Sequence, residues 1–241
     1  MTGEMVKNKS KLFSLILFLC MVTHAVVAKE YPKHFSVKFD LYHTKKNIGQ
    51  VDIKYIQNNK DYKFKASLKT KGILKLFGDR EFHSIGLVKK EGFLTKKFEI
   101  KNLRNRKKNI LVKTNLSKKN IEITYKNKKN IKSFLNDPQD LISLLFQFNY
   151  KDYQDEYTYE IIEGKSIKKF RYEKVDPSYI EDMQTLDNTD LYKGEIIGKK
   201  NTIHYLWISK HPYRIPLKAR IKTNFGLLVD LKLVETSLNF K

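Results

Sequence analysis

The sequence predicts a mainly β protein: a strongly curved antiparallel sheet or half-open β-barrel, with one apolar helix (about 137–150) packed in its concave face. Apolar and polar residues alternate with period two along most of the chain after residue 28, as half-buried antiparallel strands require. Turn-forming residues separate these runs at hairpin spacing. One segment alone changes to the helical spacing i, i+3, i+4, i+7. With 241 residues, 41% hydrophobic and 12% aromatic, the chain can bury a sizeable core. No internal repeat of roughly 20–50 residues and no linker divides it, so residues 29–241 are expected to form a single β-rich domain.

The first 28 residues read as a secretory leader. Lys7, Lys9 and Lys11 precede an apolar run at 12–23 that is too short for ~30 Å of hydrocarbon. Val26 and Ala28 supply the small residues a signal peptidase selects, so cleavage is expected after Ala28 and the product in the periplasm. Lipidation at Cys20 is disfavoured by Leu19 before it. The chain beyond Ala28 has no other cysteine, so neither a disulfide nor a thiolate is available to it.

The strands then follow in order. Phe35, Val37, Phe39 and Leu41 form the first apolar face, Val51, Ile53 and Tyr55 the second, and Tyr62, Phe64, Ala66 and Leu68 the third, across a turn at 58–61. Further strands are expected at 82–88, 93–100, 110–114, 121–125, 157–161 and 167–172. The last four are expected at 191–197, 203–209, 215–221 and 227–234, with 224–226 as the final turn. The strand at 203–209 is apolar on both faces, so it is read as central with Trp207 in the core. Pro216 cannot donate to a ladder and marks an edge or bulge.

Asp137 is read as the helix N-cap and Pro138 as the first helical residue. Leu141, Leu144, Leu145 and Phe148 share one stripe, and Ile142 and Phe146 make the helix apolar nearly all round. Such a helix must be covered. Core packing is one reading; the other is that Leu141, Leu144, Leu145, Phe148 and Trp207 line an apolar cavity.

Charge is strongly uneven. There are 48 Lys+Arg against 26 Asp+Glu, and residues 89–132 hold 16 basic and 3 acidic side chains where 133–190 hold 6 and 13. Lysine outnumbers arginine 42 to 6, so most of this excess is read as solvated strand faces rather than bidentate phosphate recognition. Export disfavours nucleic acid and leaves anionic headgroups as the anions to consider. Arg214, Lys218, Arg220 and Lys222 alternate with apolar residues and form a basic stripe read as pointing together into solvent.

The chain resembles the bacterial envelope family known as domain of unknown function 3108 (DUF3108). The resemblance is carried by Leu41-Tyr42, Asn47-Ile48-Gly49-Gln50-Val51, Tyr62-Lys63-Phe64, the segment from Asp137-Pro138-Gln139-Asp140 to Leu145, Leu206-Trp207-Ile208-Ser209 and Tyr213 to Lys218. It spans nearly all of 29–241. The resemblance implies a periplasmic β-rich domain similar to lipoprotein-carrier half-barrels and assigns no catalytic residue. The chain departs from the family at Tyr192-Lys193-Gly194, where a threonine-x-x-glycine turn is usual.

Catalytic patterns are missing. Ser166-Ile167-Lys168-Lys169 fits S-x-x-K but opens a strand rather than a helix, and no nucleotide, zincin or hydrolase motif occurs. His34, His43, His83, His204 and His211 are dispersed, and the acids Asp152, Asp155, Glu156, Glu160 and Glu163 read as a solvated edge. No cofactor or metal is expected. The reading is a non-enzymatic exported protein that holds or chaperones an apolar or lipidic envelope component. A protein-binding adaptor acting through a sheet edge or basic face is the alternative, and an enzyme with a scattered site a weaker one.

Overall fold

The computed structural model describes residues 32–150, 153–179, 186–199, 203–211, 213–222 and 227–238. The expected leader at 1–28, Asp152 and the turn at 224–226 lie outside the described residues.

Among the described residues, fifteen strands build one open sheet in the order β8-β7-β6-β5-β4-β3-β2-β1-β15-β14-β13-β12-β11-β10-β9. The N-terminal meander comprises β1 (His34–His43), β2 (Lys46–Asn58), β3 (Asp61–Thr70), β4 (Arg80–Lys89), β5 (Gly92–Asn102), β6 (Ile110–Asn115), β7 (Asn120–Tyr125) and β8 (Lys128–Ser133). After β9 (Gln139–Asp140) and the helix α1 (Leu141–Gln147), the second meander runs through β10 (Glu156–Glu163), β11 (Ser166–Val175), β12 (Thr189–Ile196), β13 (Ile203–Ser209), β14 (Pro216–Lys222) and β15 (Leu228–Thr236). β1 pairs with β15, Phe39 opposite Leu233, and this joins the two meanders.

The alternation seen in the sequence becomes an apolar inner face. Phe35, Val37 and Phe39 of β1, Tyr55 of β2, Phe64 of β3 and Phe98 of β5 are all buried in one cluster. Tyr157, Tyr159, Phe170, Tyr172, Tyr192 and Leu206 form a second cluster on the other meander. The sheet does not close into a barrel. Segment 134–140 leads from β8 to β9 and touches both meanders: Thr95 N–H of β5 donates to Pro138 O (3.0 Å), and β9 pairs in parallel with β10, Gln139 opposite Ile161.

That pairing corrects the helix boundary. Asp137 does not cap α1; it pairs with Lys89 (2.7 Å), while Pro138 and Gln139 stay extended between β5 and β10. The helix starts three residues later at Leu141 with Asp140 as N-cap, and the chain leaves it at Phe148, so the expected 138–150 span shrinks to seven residues. β8, which has no apolar alternation, was not expected as a strand; all six of its residues are exposed. Pro216 does mark a bulge: the β13–β14 register shifts between Trp207 and Ile208, with Ile208 opposite Pro216.

Candidate functional site

The helix seat starts from Asp140, whose side chain is fully buried. Its Oδ1 accepts the N–H groups of Ile142 (2.9 Å) and Ser143 (3.1 Å), the free donors of the first turn. Its Oδ2 accepts hydroxyl hydrogen bonds from Ser84 of β4 and, at 2.8 Å, Thr95 of β5. Ser143 completes a capping box, its Oγ accepting Asp140 N–H at 3.1 Å. Tyr62 lies 3.1 Å from Thr95 Oγ1, and burial, then Asp140, holds its phenol well above the usual range, hence neutral. Charge at the cap is therefore met by fixed donors, and the cap is bound to the sheet on the side of β4 and β5.

The other end of the helix is clamped twice. Gln147 accepts Phe93 N–H (2.8 Å) and donates to Glu91 O (2.7 Å). Gly92 between them has φ +115°, and a Cβ there would stand 2.1 Å from the Gln147 amide, so glycine is needed. Arg214 holds the exit: its Nη1 donates to Phe148 O (3.3 Å) and Tyr157 OH (2.9 Å), its Nη2 to Tyr192 OH (3.1 Å), and its N–H to Asn149 Oδ1 (2.8 Å). A cation at a helix C-terminus also opposes the helix dipole.

Between these clamps the helix fills the concavity. Phe146 stacks on Phe64 (5.2 Å, 15°) and leans on Phe35 (5.0 Å). Phe148 is surrounded by Tyr157, Tyr159, Tyr172 and Tyr192, with ring centroids 5.3–5.9 Å away. Leu141, Leu144 and Phe148 belong to the second cluster and Leu145 packs half-buried on the first, so the stripe is divided between the two meanders. Trp207 is not with them. Leu206 and Ile208 face the helix cluster, and Trp207, fully buried, points from the opposite face of β13 with Lys218 Nζ 4.4 Å from its ring.

The basic stripe is also rearranged. Arg214 lies before β14 and turns inward to the tyrosines instead of outward. Arg220 is committed to Asp230 by two bonds of 2.7 and 3.1 Å. Burial against Trp207 lowers the Lys218 pKa, and of the four only Lys222 is exposed. The expectation that all four point together into solvent is therefore corrected: pairing and burial use up three of them.

The acidic run disperses as well. Glu160 is buried and accepts Leu135 and Asn136 N–H (2.9 and 3.0 Å), Glu163 pairs with Lys168, and Asp155 and Glu156 are exposed. His204 is buried, stacked on Phe170 at 5.1 Å, and burial, then Lys168, lowers its pKa from 6.5 to about 4. Among the described residues no group of three His, Cys, Asp or Glu side chains is arranged to hold a metal. Ser166 opens β11, as the strand reading of S-x-x-K requires.

Among the described residues, two of the cavities that open at the surface are not lined by α1. One of about 640 Å³ lies between Leu76, Lys75 and Asp79 on one connection and Leu103 and Arg104 on another. The second, of about 390 Å³, is lined by His211, Leu217 and Leu233 among others. Sequence reasoning missed Asp140, Ser84, Thr95, Gln147 and the inward turn of Arg214. The spacing Asp140-x-x-Ser143 is a capping signal that competes with Asp137-Pro138 for the same helix.

An open, largely antiparallel sheet whose hollow is occupied by its own capped and clamped helix defines a helix-filled β-sheet domain. The chain belongs to the DUF3108 family, described as protein of unknown function, which matches residues 35–233. No curated protein matches the chain.

Proposed function

We propose that this chain is an exported, non-catalytic binding protein of the cell envelope that captures an extended acidic segment of another envelope protein on the open edge of β8. The observation that carries this is the edge itself: six exposed residues, Lys128–Ser133, end the sheet. Phe134 N–H donates to Lys119 O (3.1 Å), and antiparallel alternation then turns the backbones of Lys132, Asn130 and Lys128 toward β7 and those of Ser133, Ile131 and Lys129 outward. An incoming strand would find a row of donors and acceptors there. Lys128 and Lys132 disfavour pairing of β8 with a second basic copy and favour an acidic partner, while Lys129 pairs with Glu122 of β7 (3.2 Å). The packed helix seat argues against an acyl chain held under α1, so the carrier reading gives way to the adaptor.

Ile131→Pro removes one outward N–H and leaves the β7 ladder intact. It is expected to abolish photo-crosslinking between β8 and its envelope partner at an unchanged unfolding midpoint, with Ile131→Thr still crosslinking. Undiminished crosslinking in Ile131→Pro would overturn the edge reading. Co-purified lipid in native mass spectrometry would restore the carrier, and metal-dependent turnover would favour an enzyme.

A further inference from the structure

The 640 Å³ cavity belongs to a larger feature, the end of the N-terminal meander. The connection after β3 includes a 3-10 turn, Gly72–Phe77, and the one after β5 a second, Arg106–Lys108. Their register neighbours, Thr70 opposite Gly49 and Arg80 opposite Asn102, put both connections at the same end of the sheet as the β1–β2 turn. They carry Lys71, Lys75, Arg104, Arg106, Lys107 and Lys108 against one acid, Asp79. Those six side chains are exposed, and none enters an ion pair among the described residues. Asp79 is used internally: it accepts Thr70 N–H (2.7 Å) and hydroxyl (2.9 Å), which lower its pKa.

Leu76 and Leu103 stand among these cations. Leu76 is 73% exposed and Leu103 55% exposed, and both border the cavity. The backbone displaying them is built. Asn102 Oδ1 accepts the N–H groups of Arg104 (3.1 Å) and Asn105 (2.7 Å), Asn109 Oδ1 accepts Asn102 N–H (2.8 Å), and Arg104 Nη1 reaches Leu76 O (3.4 Å). Lys45, Lys126 and Lys165 are exposed on neighbouring turns of the same end, whereas the opposite end mixes Lys60, Lys90 and Lys118 with Glu91, Asp137 and Asp155.

We propose that this end is a docking surface for an anionic lipid bilayer, with Leu76 and Leu103 entering the headgroup boundary and the six cations contacting phosphate. Exposed leucines among uncompensated cations suit a surface that is charged outside and apolar a few ångströms below. Each lysine or arginine near such a surface favours binding, and several act together. An acidic protein would suit the cations and leave the leucines unexplained. This surface is separate from β8 and stands whether or not the edge binds a partner.

The test is sedimentation of the protein with vesicles of equal phosphatidylglycerol and phosphatidylcholine, against pure phosphatidylcholine. Binding to the anionic vesicles alone is expected, weakening as salt rises. Replacing Arg104, Arg106, Lys107 and Lys108 together with Gln should weaken partitioning roughly tenfold or more. Lys107→Glu/Lys108→Glu, on two exposed positions of a turn, repeats the test should the fourfold variant fold poorly. Leu76→Ser/Leu103→Ser should remove the binding that survives at high salt. Lys63→Gln/Lys65→Gln, on exposed β3 positions away from this end, should change nothing. Equal binding by parent and basic-turn variants, or equal loss in the Lys63/Lys65 control, overturns the proposal. So does a parent that ignores the vesicles yet binds poly-glutamate, which points to an acidic protein instead.

Discussion

Arg214 Nη1 donates to the carbonyl oxygen of Phe148 across 3.3 Å, tying the exit of the helix to the segment that leads into β14. The same guanidinium reaches the hydroxyls of Tyr157 and Tyr192, so one side chain joins the helix, β10 and β12. A residue that alternation would place among solvated cations thus acts as a fastener of the core.

Arg214→Ala should destabilise the fold by about 2–4 kcal/mol, because it removes several bonds to a charged donor and leaves buried oxygens without it. Arg214→Lys should recover less than half of the loss, since one ammonium cannot span both tyrosines and the carbonyl as a planar fork does. Urea unfolding of the three proteins checks this. A lysine variant as stable as the parent would mean that charge alone, and not the fork, holds the exit.

Within the helix the larger loss should come from Phe146, not Leu145. Phe146 is fully buried and touches Phe35 and Phe64, so Phe146→Ala should cost ~3–5 kcal/mol. Leu145 is half-buried at the edge of the same cluster, and Leu145→Ala should cost less than about 2 kcal/mol. The reverse order of unfolding midpoints would contradict the packing described.

These two residues show how far the sequence could be read. Period two located the strands because burial on one face is a local constraint, and Phe35, Tyr55 and Phe64 all fall inward as alternation requires. The presence of one helix was also legible, and so was the bulge at Pro216. Its first residue was not, because Asp137 and Asp140 both satisfy a local capping rule. The choice is made by Ser84 and Thr95, which lie far away in sequence and donate to the Asp140 carboxylate. For the same reason the stripe failed at Arg214: four residues before Lys218 and ahead of the start of β14, its direction is set by Phe148, Tyr157 and Tyr192 rather than by strand alternation. β8 escaped notice because an edge with all side chains in water has no hydrophobic period to detect.

His204 makes stability depend on pH. Its pKa in the fold is about 4 against an ordinary 6.5, since burial beside Phe170 and the nearby Lys168 disfavour the cation. The unfolded chain therefore binds the proton more readily, so this contribution is complete above about pH 6.5 and is lost as pH falls toward 4, by roughly 3 kcal/mol in all. Urea midpoints measured from pH 7 down to 4 should decline in the parent and decline much less in His204→Gln. Parallel curves for the two proteins would assign the acid sensitivity elsewhere.

Gly194 stands directly opposite Tyr172 in the β11–β12 ladder, and Tyr172 lays its ring over it. A Cβ at position 194 would sit 2.3 Å from Tyr172 Cε1, closer than any real contact, and the ring is fully buried among Phe148, Tyr159 and Phe170, with no room to retreat. The glycine serves ring packing within β12. Gly194→Ala should therefore cost about 1–3 kcal/mol by overpacking, although alanine is the better strand residue in isolation. Tyr172→Leu removes the obstructing ring atoms and leaves a partial void. The double variant Gly194→Ala/Tyr172→Leu should then be more stable than the sum of the single effects predicts, because the new methyl occupies space the ring has left. Tyr172→Phe keeps the ring, so it should give no such relief when combined with Gly194→Ala. Denaturation of the full set of single and double variants measures the coupling. Strict additivity in the leucine cycle would show that the ring does not dictate glycine at 194.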